Sequence, residues 1–181
     1  MPRLPNTIDF SRNHFELFGL PAQFQLDAAA LEHAYRDLQR AVHPDRFAGA
    51  SDGQKRLALQ ASARANEAYR TLRDPVARAE YLLSLRSDEK TSETNTRLSV
   101  AFLTRQLERR EAAEEASDAH DAHALSTLID DVRREADELG AVVARLLDGG
   151  DREARRRVRE WRFLVKVADD LDALRVMEAD Q

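Results

Sequence analysis

Only six glycines and five prolines interrupt the 181 residues of this chain, so it can run in long unbroken helices. No segment alternates apolar and polar residues as a half-buried strand does. With 34% of residues charged, that pattern predicts an all-α protein. Hydrophobic residues, at 43%, are enough for real cores, and the length allows one medium domain or two small ones.

The breakers and capping residues divide the chain. Residues 14–20 suit one or two helical turns, stopped at Gly19 and Pro21. Asp27 has the character of an N-cap for a helix from Ala28, in which Leu31, Tyr35, Leu38 and Val42 form a buried stripe. Arg36 and Arg40 lie four apart on another face and make it basic. Pro44 ends that helix near His43, because proline disfavours helical geometry in the residue before it. Residues 44–53 are expected as a loop, with Ser51 and Gln54 forming a capping box for the next helix. Ala58, Ala61, Ala65 and Ala68 on that helix permit close approach, so the two helices should pair as an antiparallel hairpin. Asp74-Pro75 opens a further helix carrying Tyr81, Leu82, Leu83 and Leu85.

Composition then changes. Residues 86–95 contain no aliphatic side chain and are expected as a linker between a first domain, 1–85, and a second, 96–181. Beyond the linker, helical stretches are expected at about 98–116, 122–147 and 152–177, with Gly149-Gly150 stopping the second and Asp151 capping the third. Three such helices make a bundle.

Several functions are excluded or disfavoured. The absence of cysteine removes disulfides, thiolate catalysis and cysteine-based metal or cluster ligation. A net charge of −5 argues against general nucleic-acid binding. No apolar run approaches the roughly 20 residues needed to cross a bilayer, and the first ten residues do not read as a secretory signal. A cytoplasmic protein without a membrane partner is the expectation. Asp118, His120, Asp121 and His123 are of metal-ligating types, but a solvated turn between helices is the better reading, and no metal or other cofactor is expected.

The loop after the first long helix carries His43-Pro44-Asp45. An acid–base pair of His43 and Asp45 lacks every other part of a catalytic site, so the protein is read as a non-enzyme. Around the tripeptide stand the basic helix before it and, after it, Asn66-Glu67-Ala68-Tyr69, Leu72, Asp74-Pro75, Arg78 and Tyr81. The arrangement resembles the J-domain of heat-shock co-chaperones over about residues 15–85. The resemblance implies that His43, Pro44 and Asp45, with Arg36 and Arg40, dock on a heat-shock chaperone and trigger its ATP hydrolysis. Pro44 would fix the backbone, and the arginines would steer toward an acidic surface. Arg46 stands where lysine is commoner and Val42 where tyrosine is usual.

Three further segments narrow the resemblance. They are Phe15-Glu16-Leu17-Phe18-Gly19-Leu20-Pro21, residues 101–111 (AFLTRQLERRE) and Arg162-Phe163-Leu164. The whole chain is similar to the HscB-type co-chaperones of iron–sulfur cluster biogenesis. That likeness implies an L-shaped molecule, a J-domain hairpin followed by a C-terminal three-helix bundle. It implies two partners, an HscA-type chaperone and the iron–sulfur cluster scaffold protein of the IscU type. The implied scaffold contacts are Leu103, Thr104, Leu107, Glu108, Glu111, Glu115 and Phe163, with Thr104 where the family often has methionine. At about 100° per residue, the six on the first bundle helix share an arc of about 140°. Without the resemblance, Leu103, Leu107 and Phe163 would be read as core and the glutamates as a solvated face. Arg155-Arg156-Arg157 and Arg159 read as a charged helix face interleaved with acids, and Trp161 as core. The alternative function is a general J-protein with a different client.

Overall fold

The computed structural model describes residues 11–86, 98–149 and 153–179. They form seven α-helices and no strand: α1 (His14–Leu17), α2 (Ala28–Val42), α3 (Asp52–Arg73), α4 (Pro75–Leu85), α5 (Val100–Asp118), α6 (Ala122–Gly149) and α7 (Ala154–Ala179). The chain divides into two compact units, Met1–Leu85 and Arg86–Gln181. Most of the expected linker, and Gly150 and Asp151, lie outside the described residues.

In the first unit the caps act as their residue types dictate. Asp27 accepts the main-chain N–H groups of Ala29 and Ala30, and Ser51 and Gln54 close a reciprocal capping box on α3. Asp74 accepts the N–H of Ala77 at 2.7 Å and so opens α4. Gly19, at φ 66°, turns the chain out of α1 in a conformation that L side chains rarely adopt. The short α1 is held by Tyr81 of α4. Its hydroxyl accepts the His14 N–H at 2.9 Å, and its ring stacks on His14 at 4.2 Å.

The hairpin of α2 and α3 is built on size and on polar matching. Ala58, Ala61, Ala65 and Ala68 of α3 are all buried, as are Leu31 and Val42 of α2, and the small side chains let the two helices pack closely. Tyr35 stacks on Tyr69 at 4.1 Å and donates its hydroxyl proton to Asn66 Oδ1 at 2.9 Å. Gln39 also donates to Asn66 and accepts from Ser62 Oγ at 3.2 Å. A satisfied polar network between two helices fixes their register, because any slip would leave its members unpaired. Arg78 donates to the carbonyl of Leu72 at 2.7 Å, tying α4 to the end of α3.

In the second unit α6 and α7 pack together along their length, and α5 lies more loosely against both. Leu125, Ile129, Val132, Val143 and Leu147 of α6 are buried, as are Val158, Trp161 and Leu164 of α7, and together they supply the core of this unit. Arg105 and Arg109 of α5 both pair with Glu135 of α6. Among the described residues no helix is long and apolar enough to cross a membrane.

Candidate functional site

His43 leaves α2 at φ −57° and ψ 128°, the extended geometry that Pro44 imposes on its predecessor. The expected loop is shorter and more ordered than the sequence suggested. Residues Pro44–Phe47 form one 3-10 turn, and α3 begins at Asp52. Phe47 explains this: only 1% exposed, it pins the turn to the hairpin core. Burying such a ring contributes about 1.5–3 kcal/mol, enough to order a short loop. Val42 beside the tripeptide is fully buried, so its side chain belongs to the core and not to the outer surface.

The two polar members of the tripeptide face solvent. The Asp45 main-chain N–H donates to His43 Nδ1 at 3.3 Å, and Asp45 Oδ2 lies 3.6 Å from the same nitrogen. Arg46 Nη1 reaches back to the carbonyl of Arg40 at 3.0 Å, satisfying one of the last carbonyls of α2 and bracing the turn. From its residue type Arg46 carries only the positive charge that lysine would also carry; its bracing role depends on chain reversal, which periodicity does not report. Arg36 and Arg40 are exposed on α2, but Arg36 pairs with Glu32 at 2.6 Å and Arg40 with Asp37. The basic face is therefore partly neutralised by its own helix, through exposed pairs worth little and easily exchanged.

The second set of predicted residues is also at the surface. Ser99 caps α5, accepting the N–H of Phe102 at 3.2 Å. Leu103 is 47% exposed and Leu107 58%, while Thr104, Glu108, Glu111 and Glu115 are exposed along the same side. Phe163 of α7 is 36% exposed and meets buried Phe102 edge-on, with centroids 5.6 Å apart. Trp161, two positions earlier, is buried, so the two aromatic rings of α7 occupy opposite environments. Leu103, Leu107 and Phe163 are thus outside the core that a reading from residue type alone would give them.

Asp121 serves as the cap of α6, accepting the N–H groups of His123 and Ala124 at 3.1 and 2.9 Å. His120 beside it takes a positive φ of 50°. Among the described residues no group of three histidine or carboxylate side chains is placed to hold a metal ion.

The DnaJ domain family matches residues 13–81, and the family described as the HSCB C-terminal oligomerisation domain matches residues 98–172. The co-chaperone protein HscB homolog of Burkholderia vietnamiensis is 49% identical over 167 residues, covering 92% of this chain and 95% of its own length. The chain belongs to the HscB co-chaperone family. The corresponding homolog of Paraburkholderia xenovorans is 50% identical over 164 residues, covering 88% of this chain and 91% of its own. Chaperone HscB from Vibrio cholerae has a similar structure, with a TM-score of 0.81 at 35% identity over 92% of this chain and 99% of that one. Human co-chaperone HscB follows at 0.79 and 29%, covering 91% of this chain and 83% of that one. As an HscB-family protein with a J-domain, the chain is a co-chaperone whose partner is a chaperone of the Hsp70 type.

Proposed function

We propose that this protein stimulates the ATPase of an HscA/DnaK-type chaperone and delivers to it the IscU-type scaffold on which iron–sulfur clusters are built. His43, Pro44 and Asp45 act on the chaperone, with Arg36 and Arg40 guiding the encounter. Leu103, Thr104, Leu107, Glu108, Glu111, Glu115 and Phe163 hold the scaffold. The observation that carries the reading is the exposure of two leucines and a phenylalanine beside an acidic stripe, in a bundle that has buried its other large apolar rings. Apolar anchors ringed by charge are the usual makeup of a specific docking face. Client delivery needs no chemistry from this chain. Binding brings the client to the chaperone as hydrolysis is triggered, which raises the local concentration of one at the other.

A second reading comes from the description of the matching C-terminal family as an oligomerisation domain, in which the same face would join two copies. Its charge disfavours that. A two-fold contact on this face with the two α5 helices antiparallel sets the stripe of Glu108, Glu111 and Glu115 against the same stripe of the other copy, and like charges repel. The deciding experiment measures the chaperone's ATPase with this protein, with and without scaffold. The expected result is stimulation that rises further when scaffold is added. No added effect of scaffold, together with a dimer in sedimentation, would reassign the face to self-association.

A further inference from the structure

The loose seating of α5 on α7 leaves a cleft of about 240 Å³ between them. Phe163, Val167 and Leu171 of α7 line one side, and Gln106 and Arg110 of α5 line the other. The volume falls below the roughly 300–1,000 Å³ of sites for drug-sized ligands. It suits a single large side chain presented by another protein.

Gln106 gives the cleft a polar requirement. Its Oε1 accepts from Arg109 Nη1 at 3.2 Å, which fixes which way round the amide sits. The Nε2 donor on the other side is buried and has no partner. A buried donor left unmatched is unfavourable, and a small turn of the amide toward an incoming carbonyl would satisfy it.

The cleft is also continuous with the proposed scaffold face. Phe163 belongs to both, and Arg110 lies one turn beyond Leu107 on α5. The same helix exposes Glu108, Glu111 and Glu115, and among the described residues no cation is paired with any of them. The charge that would complement this stripe has to come from the partner.

We infer that the cleft is a pocket for one large apolar side chain of the scaffold protein, carried on a basic segment whose main-chain carbonyl reaches Gln106 Nε2. The inference rests on the function proposed above and adds Gln106 and Val167 to the residues that decide specificity. The test titrates the full chain with purified scaffold protein by calorimetry. Val167→Trp, which fills the cleft, is expected to weaken binding about tenfold or more. Gln106→Met, which keeps the length and removes the donor, is expected to weaken it about fivefold. Methyl NMR on the unmodified chain guards against a variant that fails to fold. The Val167 methyl signals should move as scaffold is added, while those of buried Val143 stay in place. Scaffold binding by the parent with unmoved Val167 signals and an undiminished Val167→Trp affinity would overturn the cleft alone. Failure of the parent to bind scaffold would overturn the proposed function and this inference with it. Val167 signals that move with the concentration of this chain alone would make a second copy the occupant and overturn the inference as well.

Discussion

At position 43 the imidazole is held by one long hydrogen bond and is otherwise open to solvent, and the Asp45 carboxylate is freer still. Neither side chain is part of the core. His43→Gln or Asp45→Ala is therefore expected to abolish chaperone stimulation while changing stability by no more than about 0.5 kcal/mol, measured by ATPase assay and denaturant melting. Phe47→Ala should do the reverse in kind. It loses about 3–5 kcal/mol and frees the loop, so any loss of stimulation would come with a lower melting temperature. The tripeptide was legible because it is a motif with fixed neighbours. Phe47 was not, since a single aromatic residue in a polar stretch has no period to betray its burial. His14 is a second residue whose role only contacts reveal. Burial chiefly, and then Arg64, lower its pKa from the ordinary 6.5, against an opposing pull from Glu67. A depressed histidine is neutral when folded and binds a proton more readily when unfolded. Its contribution is thus intact above pH 6.5 and is lost as pH falls from there toward the folded value. Stability measured across that window should fall with acidification, and His14→Phe should flatten the fall. An unchanged slope in that variant would place the acid sensitivity elsewhere.

Helix existence followed from breakers, caps and apolar spacing, and the ends of α2, α3 and α4 were fixed by side chains that do what their types do best. Asp27, Ser51 with Gln54, and Asp74 are local devices, so a local reading finds them. Contacts between elements were less legible. The Tyr35, Gln39, Ser62 and Asn66 network joins residues about thirty positions apart, and nothing in either helix alone announces it. Gly140 is a similar case. In the middle of α6 a glycine costs about 1 kcal/mol of helix stability relative to alanine, so its presence calls for a packing reason. Trp161 supplies it: a Cβ at position 140 would lie 3.0, 3.1 and 3.2 Å from three atoms of the indole. That ring is rigid and 8% exposed, and it would have to shift as a body. Overpacking of this kind costs about 1–3 kcal/mol, which outweighs the helical gain. Gly140→Ala is expected to lower stability by about 1 kcal/mol and Gly140→Val by more, read from thermal melts of the full chain. A raised melting temperature for the alanine variant would mean that the indole gives way.

On the scale of the chain, division into two compact units suggests that each buries its own core. A fragment ending at Leu85 is then expected to melt cooperatively and to stimulate the chaperone weakly without binding scaffold. A fragment with no cooperative melt would show that the first unit depends on the second. The second unit poses the harder question, because its apolar residues serve two purposes that composition cannot separate. Leucine at a helical spacing reads as core, and only the looser packing of α5 decides that Leu103 and Leu107 are not. Replacing Leu103, Leu107 and Phe163 together by alanine tests that distinction. Residues already about half exposed lose little burial, and Phe163 loses mainly its edge contact with Phe102, so the bundle should weaken by no more than about 3 kcal/mol. Were they core, each site would cost about 2–5 kcal/mol and the second unit would unfold. Replacing Glu108, Glu111 and Glu115 by glutamine should instead leave the melt unchanged, slow scaffold association and flatten its salt dependence, because exposed charges act mainly on the encounter. Circular dichroism melting of the apolar triple variant comes first. If its melting temperature stays within several degrees of the parent and scaffold binding is lost, the two leucines and the phenylalanine are anchors. If it collapses, they hold the bundle together, and the docking face has to be sought on another side of α5.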